Sequence, residues 1–111
     1  MQRRIGFYGE YFENFYIIQS QKVKDKIDYV LDIIKHVDLI PIKFLKHIEG
    51  TDGLYEIRVK TTFKIIRIFC FFDSGNLIIL TNCIEKKSKK TPKEPLEVAN
   101  KLKKEYFESK K

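Results

Sequence analysis

Apolar and charged residues recur with a helical period in the N-terminal third of the chain. Over Ser20–Val37, apolar residues return at steps of three and four with charged residues between them, and this spacing predicts an amphipathic helix. Weaker patterns predict a first strand over Arg3–Tyr8 and a short helix over Glu10–Ile18. The mixed sequence Pro41–Gly50 is interpreted as a connector.

The middle of the chain changes to a strand-like pattern. Three segments are rich in Ile, Phe, Val and Thr, and short turn sequences separate them: Leu54–Lys60, Phe63–Phe72 and Asn76–Glu85. Because these turns have hairpin length, the segments predict three consecutive antiparallel strands. Gly75 stands where the last turn needs a positive φ.

A final helix is predicted after the strands. Thr91 suits the N-cap, Pro92 the first helical position and Glu94 the capping-box partner. Alternatively, Pro95 is itself the first helical residue. Apolar residues then follow one helical face as far as Tyr106. The order of elements predicts an α+β fold, in which an antiparallel sheet packs against N-terminal helices and carries a C-terminal helix.

Composition limits the class of protein. The chain has 111 residues, of which 43% are hydrophobic and 14% aromatic, so we expect one folded domain over residues 1–111 rather than disorder. Its longest apolar run, Ile65–Phe72, is interrupted by Arg67 and is too short to cross a membrane. The N-terminus has no apolar signal segment, and we therefore expect a cytoplasmic protein.

Positive charge is concentrated near the end of the sequence. Residues 82–111 carry 10 basic and 5 acidic side chains, and so hold +5 of the net charge of +7. Five lysines lie within the eight residues Lys86–Lys93, a density that favours binding to a polyanion such as nucleic acid. The alternative is a solvated, lysine-rich loop that only improves solubility. Tyr106 is either a core anchor or a polar tip near this basic region.

No metal or cofactor motif is present. The two cysteines, Cys70 and Cys83, and the two histidines, His36 and His47, have none of the usual ligand spacings. Phosphate-binding loops, serine-nucleophile elbows and zinc-protease motifs are also missing. We therefore predict that the protein uses no cofactor.

Arg67 interrupts an otherwise apolar strand, and a charge in that position needs a partner. Strand alternation places Arg67 on one face of its strand, and it places Glu56 and Arg58 together on one face of the preceding strand. Two interpretations stay open. The two arginines bind a phosphate bidentately, or Arg67 forms a structural ion pair with Glu56. Lys86 and Lys87 follow the last strand directly, and mutual repulsion would lower their pKa values towards the range useful for acid–base catalysis.

Several motifs occur together in a fixed order. The sequence G-L-Y-E-I-R ends at Arg58, I-R-I-F surrounds Arg67, and K-K-S-K-K-T-P begins at Lys86. From about Phe44 to Tyr106 the chain resembles the RelE superfamily of bacterial toxins, in its HigB-like, phage-derived branch. The resemblance implies a small RelE-like α+β fold and a toxin that cuts mRNA in the ribosomal A site. It also implies a cognate antitoxin, usually a helix-turn-helix protein, as the partner.

The resemblance also suggests roles for particular residues. In a metal-independent ribonuclease of this kind the RNA 2′-hydroxyl attacks the adjacent phosphate, and the protein supplies charge stabilisation and proton transfer. The implied catalytic residues are Arg58, Arg67, Lys86 and Lys87. The implied RNA-binding residues are Lys46, Asn82, Lys89, Lys90, Lys93 and Tyr106.

The sequence departs from its relatives at two places. Asn82 stands where many relatives have His, and an amide cannot transfer a proton at neutral pH. Ser88-Lys89 replaces the usual Thr-Gln. Two other functions are therefore kept as alternatives: a non-catalytic module that binds RNA or the ribosome, and a degenerate toxin that acts as a protein-interaction subunit.

Overall fold

The computed structural model describes residues 2–86 and 92–111. Within these residues the chain forms five strands and three helices. Their bounds are β1 (Arg4–Phe7), α1 (Tyr11–Ile17), α2 (Gln21–His36), β2 (Leu45–His47), β3 (Tyr55–Lys60), β4 (Ile65–Phe72), β5 (Leu77–Glu85) and α3 (Lys93–Ser109).

All five strands belong to one sheet with the order β1-β5-β4-β3-β2. The three predicted strands form the antiparallel meander β3-β4-β5, with Gly75 at a φ of 65° in the last turn. The sheet is therefore antiparallel apart from β1, which runs parallel to β5. The predicted α+β architecture is confirmed.

The N-cap and the apolar spacing of α2 explain why this segment folds as a helix. The Ser20 side chain accepts a hydrogen bond from the Val23 backbone N–H, which is the usual N-cap arrangement. The apolar residues at steps of three and four, Val23, Ile27, Val30 and Ile34, are all buried. Helix α2 therefore supplies one continuous apolar stripe to the core.

The two faces of the sheet bury different sets of residues. On one face α1 and α2 pack against strand residues that include Ile57, Val59, Ile66, Ile68, Cys70, Ile78 and Leu80. On the other face α3 packs, through Ala99 and its partly buried neighbours, against Leu54, Phe69, Phe71 and Ile79. Because side chains alternate along a strand, the residues of β3 and β4 that avoid the first core point to the α3 side.

The pairing of β4 with β5 contains a β-bulge. Ile68 lies opposite Cys83 and Cys70 lies opposite Leu80, so two β5 residues face Phe69 between them. One of these, Thr81, donates its hydroxyl to the Phe69 carbonyl at 3.2 Å. A bulge changes the direction of the side chains that follow it, here the residues that lead to Lys86.

The structure differs from the sequence-based prediction in three places. The connector Pro41–Gly50 contains the short edge strand β2. Phe63 lies in the β3–β4 turn and is exposed, because the Thr61 backbone N–H and side chain both bond to Lys64 and close the turn before the strand begins. Helix α3 begins at Lys93 with Pro92 as its N-cap, whereas the predicted N-cap, Thr91, lies outside the described residues.

No helix in the described part of the chain is both long and apolar enough to span a membrane.

Candidate functional site

Two arginines face each other across the β3–β4 ladder. Arg58 and Arg67 are directly opposed in the register, and both lie on the α3 side of the sheet. Because Ile57 and Val59 are buried on the opposite face, strand alternation places Arg58, which lies between them in the sequence, on the α3 side. The two arginines therefore share one face of the sheet, which is the condition for the bidentate phosphate interpretation.

Arg67 also forms the ion pair with Glu56 that the sequence left open. Its Nη1 donates to Oε1 at 2.7 Å and to Oε2 at 2.6 Å, and the two side chains are only 4% and 5% exposed. The Nε of Arg67, which is also buried, finds no hydrogen-bond acceptor among the described residues. The Nη1 group of Arg67 is thus paired with Glu56, while its Nε–H donor has no acceptor among the described residues.

Two lysines complete the group. Lys46 on β2 lies opposite Glu56 in the register. Lys86 directly follows β5, and its backbone N–H donates to the Ile65 carbonyl at 2.6 Å, which places it beside the start of β4. We call Lys46, Arg58, Arg67 and Lys86, together with the acidic Glu56, the basic cluster.

Burial and neighbouring charges act together on Lys86. Its side chain is almost fully buried, and burial lowers the pKa of its ammonium to about 8, with a further contribution from the positive charge of Arg67. Arg58 and Lys46 act in the same direction, whereas the Glu56 carboxylate raises this pKa. Lys86 therefore gains and loses its proton close to neutral pH.

Helix α3 covers only part of the face that carries the basic cluster. Its apolar residues pack on Phe69 and Phe71, in the second half of β4. Arg67 lies in the first half of β4, opposite Arg58. The same face of the sheet thus holds an apolar core under the helix and a charged group next to it.

Asn82, one of the candidate RNA-binding residues, points to α3. Its Nδ2 donates to the Pro95 carbonyl at 3.0 Å, and its Oδ1 accepts from the Thr81 hydroxyl at 3.2 Å. The amide therefore joins the β5 bulge to the first turn of α3. This contact holds the start of the helix close to the end of β5.

Tyr106, another candidate, lies on α3, is partly buried and packs against the core beneath the helix. Its ring contacts Phe71 and Tyr8 at centroid distances of 5.3 and 5.7 Å. Its hydroxyl donates to Asp73 Oδ2 at 2.6 Å, and this bond raises the pKa of Tyr106. The geometry favours the core anchor of the two interpretations, because Asp73 follows the end of β4 whereas Arg67 lies near its start.

The described residues include the two ends of the lysine run, Lys86 and Lys93. Lys93 is exposed at the start of α3, with its Nζ 3.8 Å from Glu97. Lys87, Lys89 and Lys90 lie outside the described residues.

Other features of the described chain are separate from the basic cluster. Cys70 and Cys83 are free thiols, and burial raises the pKa of Cys83 to about 12. No group of three or more His, Cys, Asp or Glu side chains in the described residues is placed to hold a metal ion. An open groove between the Gly50–Gly53 turn and α3 contains none of the cluster residues.

Sequence comparison identifies the family. The family model described as phage-derived protein Gp49-like (DUF891) matches residues 18–104. The chain belongs to this family. The matched region of this Gp49-like protein includes every residue of the basic cluster, and no protein of curated function matches the chain significantly.

Structural comparison relates this Gp49-like protein to RelE. The crystal structure of the archaeal RelE–RelB complex from Pyrococcus horikoshii OT3 matches with a TM-score of 0.57 at 14% sequence identity. The match covers 81% of this chain and 100% of the archaeal chain. At this identity the likeness establishes the fold. The predicted RelE-like α+β fold is confirmed, and the matching family is a phage-derived one, as predicted.

Proposed function

We propose that this Gp49-like protein is the toxin of a type II toxin–antitoxin system and that it cuts mRNA on the ribosome. The observation that carries the proposal is the pair Arg58 and Arg67, which lie opposite each other beside Lys86 while the buried Nε of Arg67 lacks an acceptor in the described chain. An unpaired buried donor lowers stability, and a phosphate oxygen would satisfy it.

The two guanidiniums suit the charge that develops in RNA cleavage. The RNA 2′-hydroxyl gives its proton to water as its oxygen forms a bond to the adjacent phosphorus. The bond from phosphorus to the 5′-oxygen then breaks through a pentacovalent phosphate, which leaves a 2′,3′-cyclic phosphate and a protonated 5′-hydroxyl. Fixed, partly desolvated cations stabilise such charge more strongly than water does. We assign this role to Arg58 and Arg67, so the proposed mechanism needs no metal ion.

Lys86 suits proton transfer to the leaving group. Because burial lowers its pKa to about 8, Lys86 is mostly protonated at pH 7 and yet gives up its proton readily. We assign Lys86 as the donor to the 5′-oxygen, with Lys87 as the alternative donor.

The remaining candidates have supporting roles. We assign the other candidate lysines of the sequence to contacts with phosphates of the RNA backbone on either side of the cleaved bond. They are Lys46, Lys87, Lys89, Lys90 and Lys93. Asn82 orients the start of α3, on which Lys93 lies, and takes no proton.

An antitoxin is the proposed protein partner. The archaeal structure with the same fold is a RelE–RelB complex, and on this basis we propose that a small cognate antitoxin neutralises the Gp49-like protein. A ribosomal substrate would place the activity in the cytoplasm.

A non-catalytic RNA-binding or ribosome-binding module is the second candidate. Asn82 favours it, because an amide cannot transfer a proton at neutral pH and this one is hydrogen-bonded to Pro95 and Thr81. Such a module would keep the lysines without needing Arg58 or Arg67.

The test uses purified protein, ribosomes programmed with a defined mRNA, and primer extension to map new 5′ ends. We expect wild-type protein to cut at A-site codons and Arg58→Gln to lose about 100-fold in rate. Lys22→Gln, which removes an exposed lysine of α2, is the matched control and should cut normally. Sedimentation with ribosomes in the absence of cleavage would support the second candidate and contradict the first.

To test Arg67 in the same assay, a more conservative substitution than Arg67→Ala is needed. Truncating Arg67 would leave the Glu56 carboxylate buried without its partner, at a cost of about 3–5 kcal/mol, and a loss of activity would then only report unfolding. Arg67→Lys keeps the charge and removes the Nε donor. We expect a folded protein with strongly reduced cleavage.

A further inference from the structure

Glu56 is the acidic member of a cluster that otherwise consists of cations. Its side chain is almost fully buried in the middle of β3. In the register it lies opposite Lys46 on β2 and Phe69 on β4. A buried carboxylate is costly unless it is paired and hydrogen-bonded, so its place at the centre of a proposed anion site needs an explanation.

The contact between Glu56 and Arg67 is one-sided. Both carboxylate oxygens accept from Nη1, at 2.6 and 2.7 Å. A pair that served stability alone would be expected to use the guanidinium fully, because a buried donor without a partner lowers stability. Here the Nε of Arg67 stays without an acceptor in the described chain, although Glu56 is adjacent.

A guanidinium held in this way has a fixed orientation. It is planar, and an edge containing two N–H donors matches two oxygens of a phosphate. With Nη1 anchored by Glu56, the edge that contains Nε cannot rotate away. Glu56 therefore determines which edge of Arg67 meets an incoming anion.

We propose that Glu56 is a positioning residue, which anchors Arg67 through Nη1 so that the Nε edge of the guanidinium meets the scissile phosphate. This inference rests on the proposed ribonuclease function and adds a specific role for Glu56 in it. Glu56 touches neither the attacking nor the leaving oxygen in this scheme.

Glu56 also affects the charge state of the site. Among the described residues, the charged groups that act on the pKa of Lys86 are Lys46 from β2, Glu56 and Arg58 from β3, and Arg67 from β4. Only Glu56 among them favours the protonated form of Lys86. Removing its charge should therefore shift the titration of Lys86 to lower pH.

The decisive experiment compares Glu56→Gln with wild type in ribosome-dependent cleavage and separates kcat from KM. Loss of positioning predicts that kcat falls by about 100-fold, while KM stays equal or decreases because a negative charge has left an anion site. The falling limb of the pH–rate profile should also move to lower pH. An unchanged kcat with tighter binding would show that Glu56 only adjusts the charge, and would overturn the proposal.

A matched control removes an acid close to the cluster but outside it. Glu85→Gln loses a carboxylate that pairs with Lys64 and is partly exposed, and its kcat should stay within about twofold of wild type. If Glu85→Gln lowered kcat as much as Glu56→Gln, the effect would be one of general charge and the proposal would fall.

Two further measurements keep the test decisive. If Glu56→Gln does not fold, Glu56→Asp keeps the charge but shortens the side chain by one methylene group, and the same loss of kcat is expected. In parallel, NMR follows the Arg67 Nε–H signal during titration with inorganic phosphate at pH 7. We expect phosphate to shift this signal in wild type and not in the variant.

The NMR experiment also separates the two proposals. Suppose that wild-type protein cuts no RNA, that its Arg67 Nε–H signal responds to phosphate, and that Glu56→Gln loses this response. This result would contradict the ribonuclease function and support the positioning role. A signal that responds equally in both proteins would overturn the positioning role.

Discussion

Lys86 is a residue whose position reduces the stability of the fold. Its ammonium is buried beside two arginines, and its pKa is lowered to about 8 through burial and then through Arg67. A lysine pKa below its ordinary value of 10.5 means that the folded state disfavours the proton that the unfolded state binds. At pH 7 the folded protein therefore carries a destabilising charge, as is common at functional sites.

Removing the charge of Lys86 should increase the stability of the fold and decrease RNA cleavage. We expect Lys86→Met to raise the melting temperature at pH 7 by about 5 °C and to abolish cleavage. The stabilisation should shrink as the pH rises from about 8 towards 10.5, because folded wild type then loses the same proton. Calorimetry at several pH values measures this difference, and a melting temperature lower than that of wild type would contradict the prediction.

Under the proposed function, the same residue should make RNA binding depend on pH. As the pH rises through about 8, Lys86 becomes neutral and the affinity for single-stranded RNA should decline. Lys86→Arg keeps its charge throughout this range, so its affinity should stay level between pH 7 and pH 9. Fluorescence anisotropy with a labelled RNA measures both curves, and a level wild-type curve would exclude this role for Lys86.

At the scale of elements, α3 is held to the sheet by polar contacts at both ends. Asn82 bonds to its first turn, and Asp73 accepts from Tyr106 and Lys110 near its C-terminus. The bond from Lys110, followed by those from Tyr106 and the Ser74 backbone, lowers the pKa of Asp73 to about 2. These contacts keep the helix over Phe71 and leave the basic cluster beside it.

The anchoring contact of Tyr106 is testable apart from catalysis. Tyr106→Phe keeps the ring in the core and removes the hydrogen bond to Asp73, at a cost of about 1 kcal/mol. We expect a melting temperature about 5 °C lower and unchanged RNA cleavage per folded molecule. A large loss of cleavage by the folded variant would instead assign Tyr106 to the RNA.

The sequence predicts a helix or strand correctly where its apolar residues repeat over enough positions to form a clear periodic pattern. Helix α2 and the β3–β5 meander follow from apolar spacing alone. The sequence does not predict β2, because a strand of three residues is too short to show an alternating pattern. Only its pairing with β3 defines this strand. The start of β4 was placed too early because Phe63 has the composition of a strand, although hydrogen bonds at Thr61 turn it outward.

The candidate site could be predicted only in part, for a similar reason. Alternation places Glu56 and Arg58 on one face of their strand and Arg67 on one face of the next strand, but the choice between a phosphate site and an ion pair depends on side-chain geometry. The structure contains both the arginine pair and the Glu56 contact. The environment of Lys86 is formed by side chains from several strands of the sheet, and no local sequence pattern encodes it.

At the scale of the whole molecule, the net charge of +7 is distributed unevenly, with most of it in residues 82–111. Each lysine that contacts a phosphate of single-stranded RNA should add about 0.7 to the slope of log affinity against log salt. We expect the double variant Lys89→Gln, Lys90→Gln to reduce this slope by about 1.4.

Binding titrations between 50 and 200 mM salt, about the range over which such contacts are lost, measure this slope. Replacing Lys22 and Lys24 of α2 with Gln is the control for net charge, and that variant should keep the wild-type slope. Equal slopes in all three proteins would mean that the lysine run makes no phosphate contacts.

The sheet order has a consequence for how the molecule assembles. Strand β5 lies between β1 and β4, so the first strand of the chain has no partner until the last strand has been synthesised. Pairings this distant in sequence close slowly. A growing chain therefore already contains Arg58 and Arg67 while the strand that brings Lys86 to them is still missing. Catalytic competence should arise only after β5 has docked, late in co-translational folding.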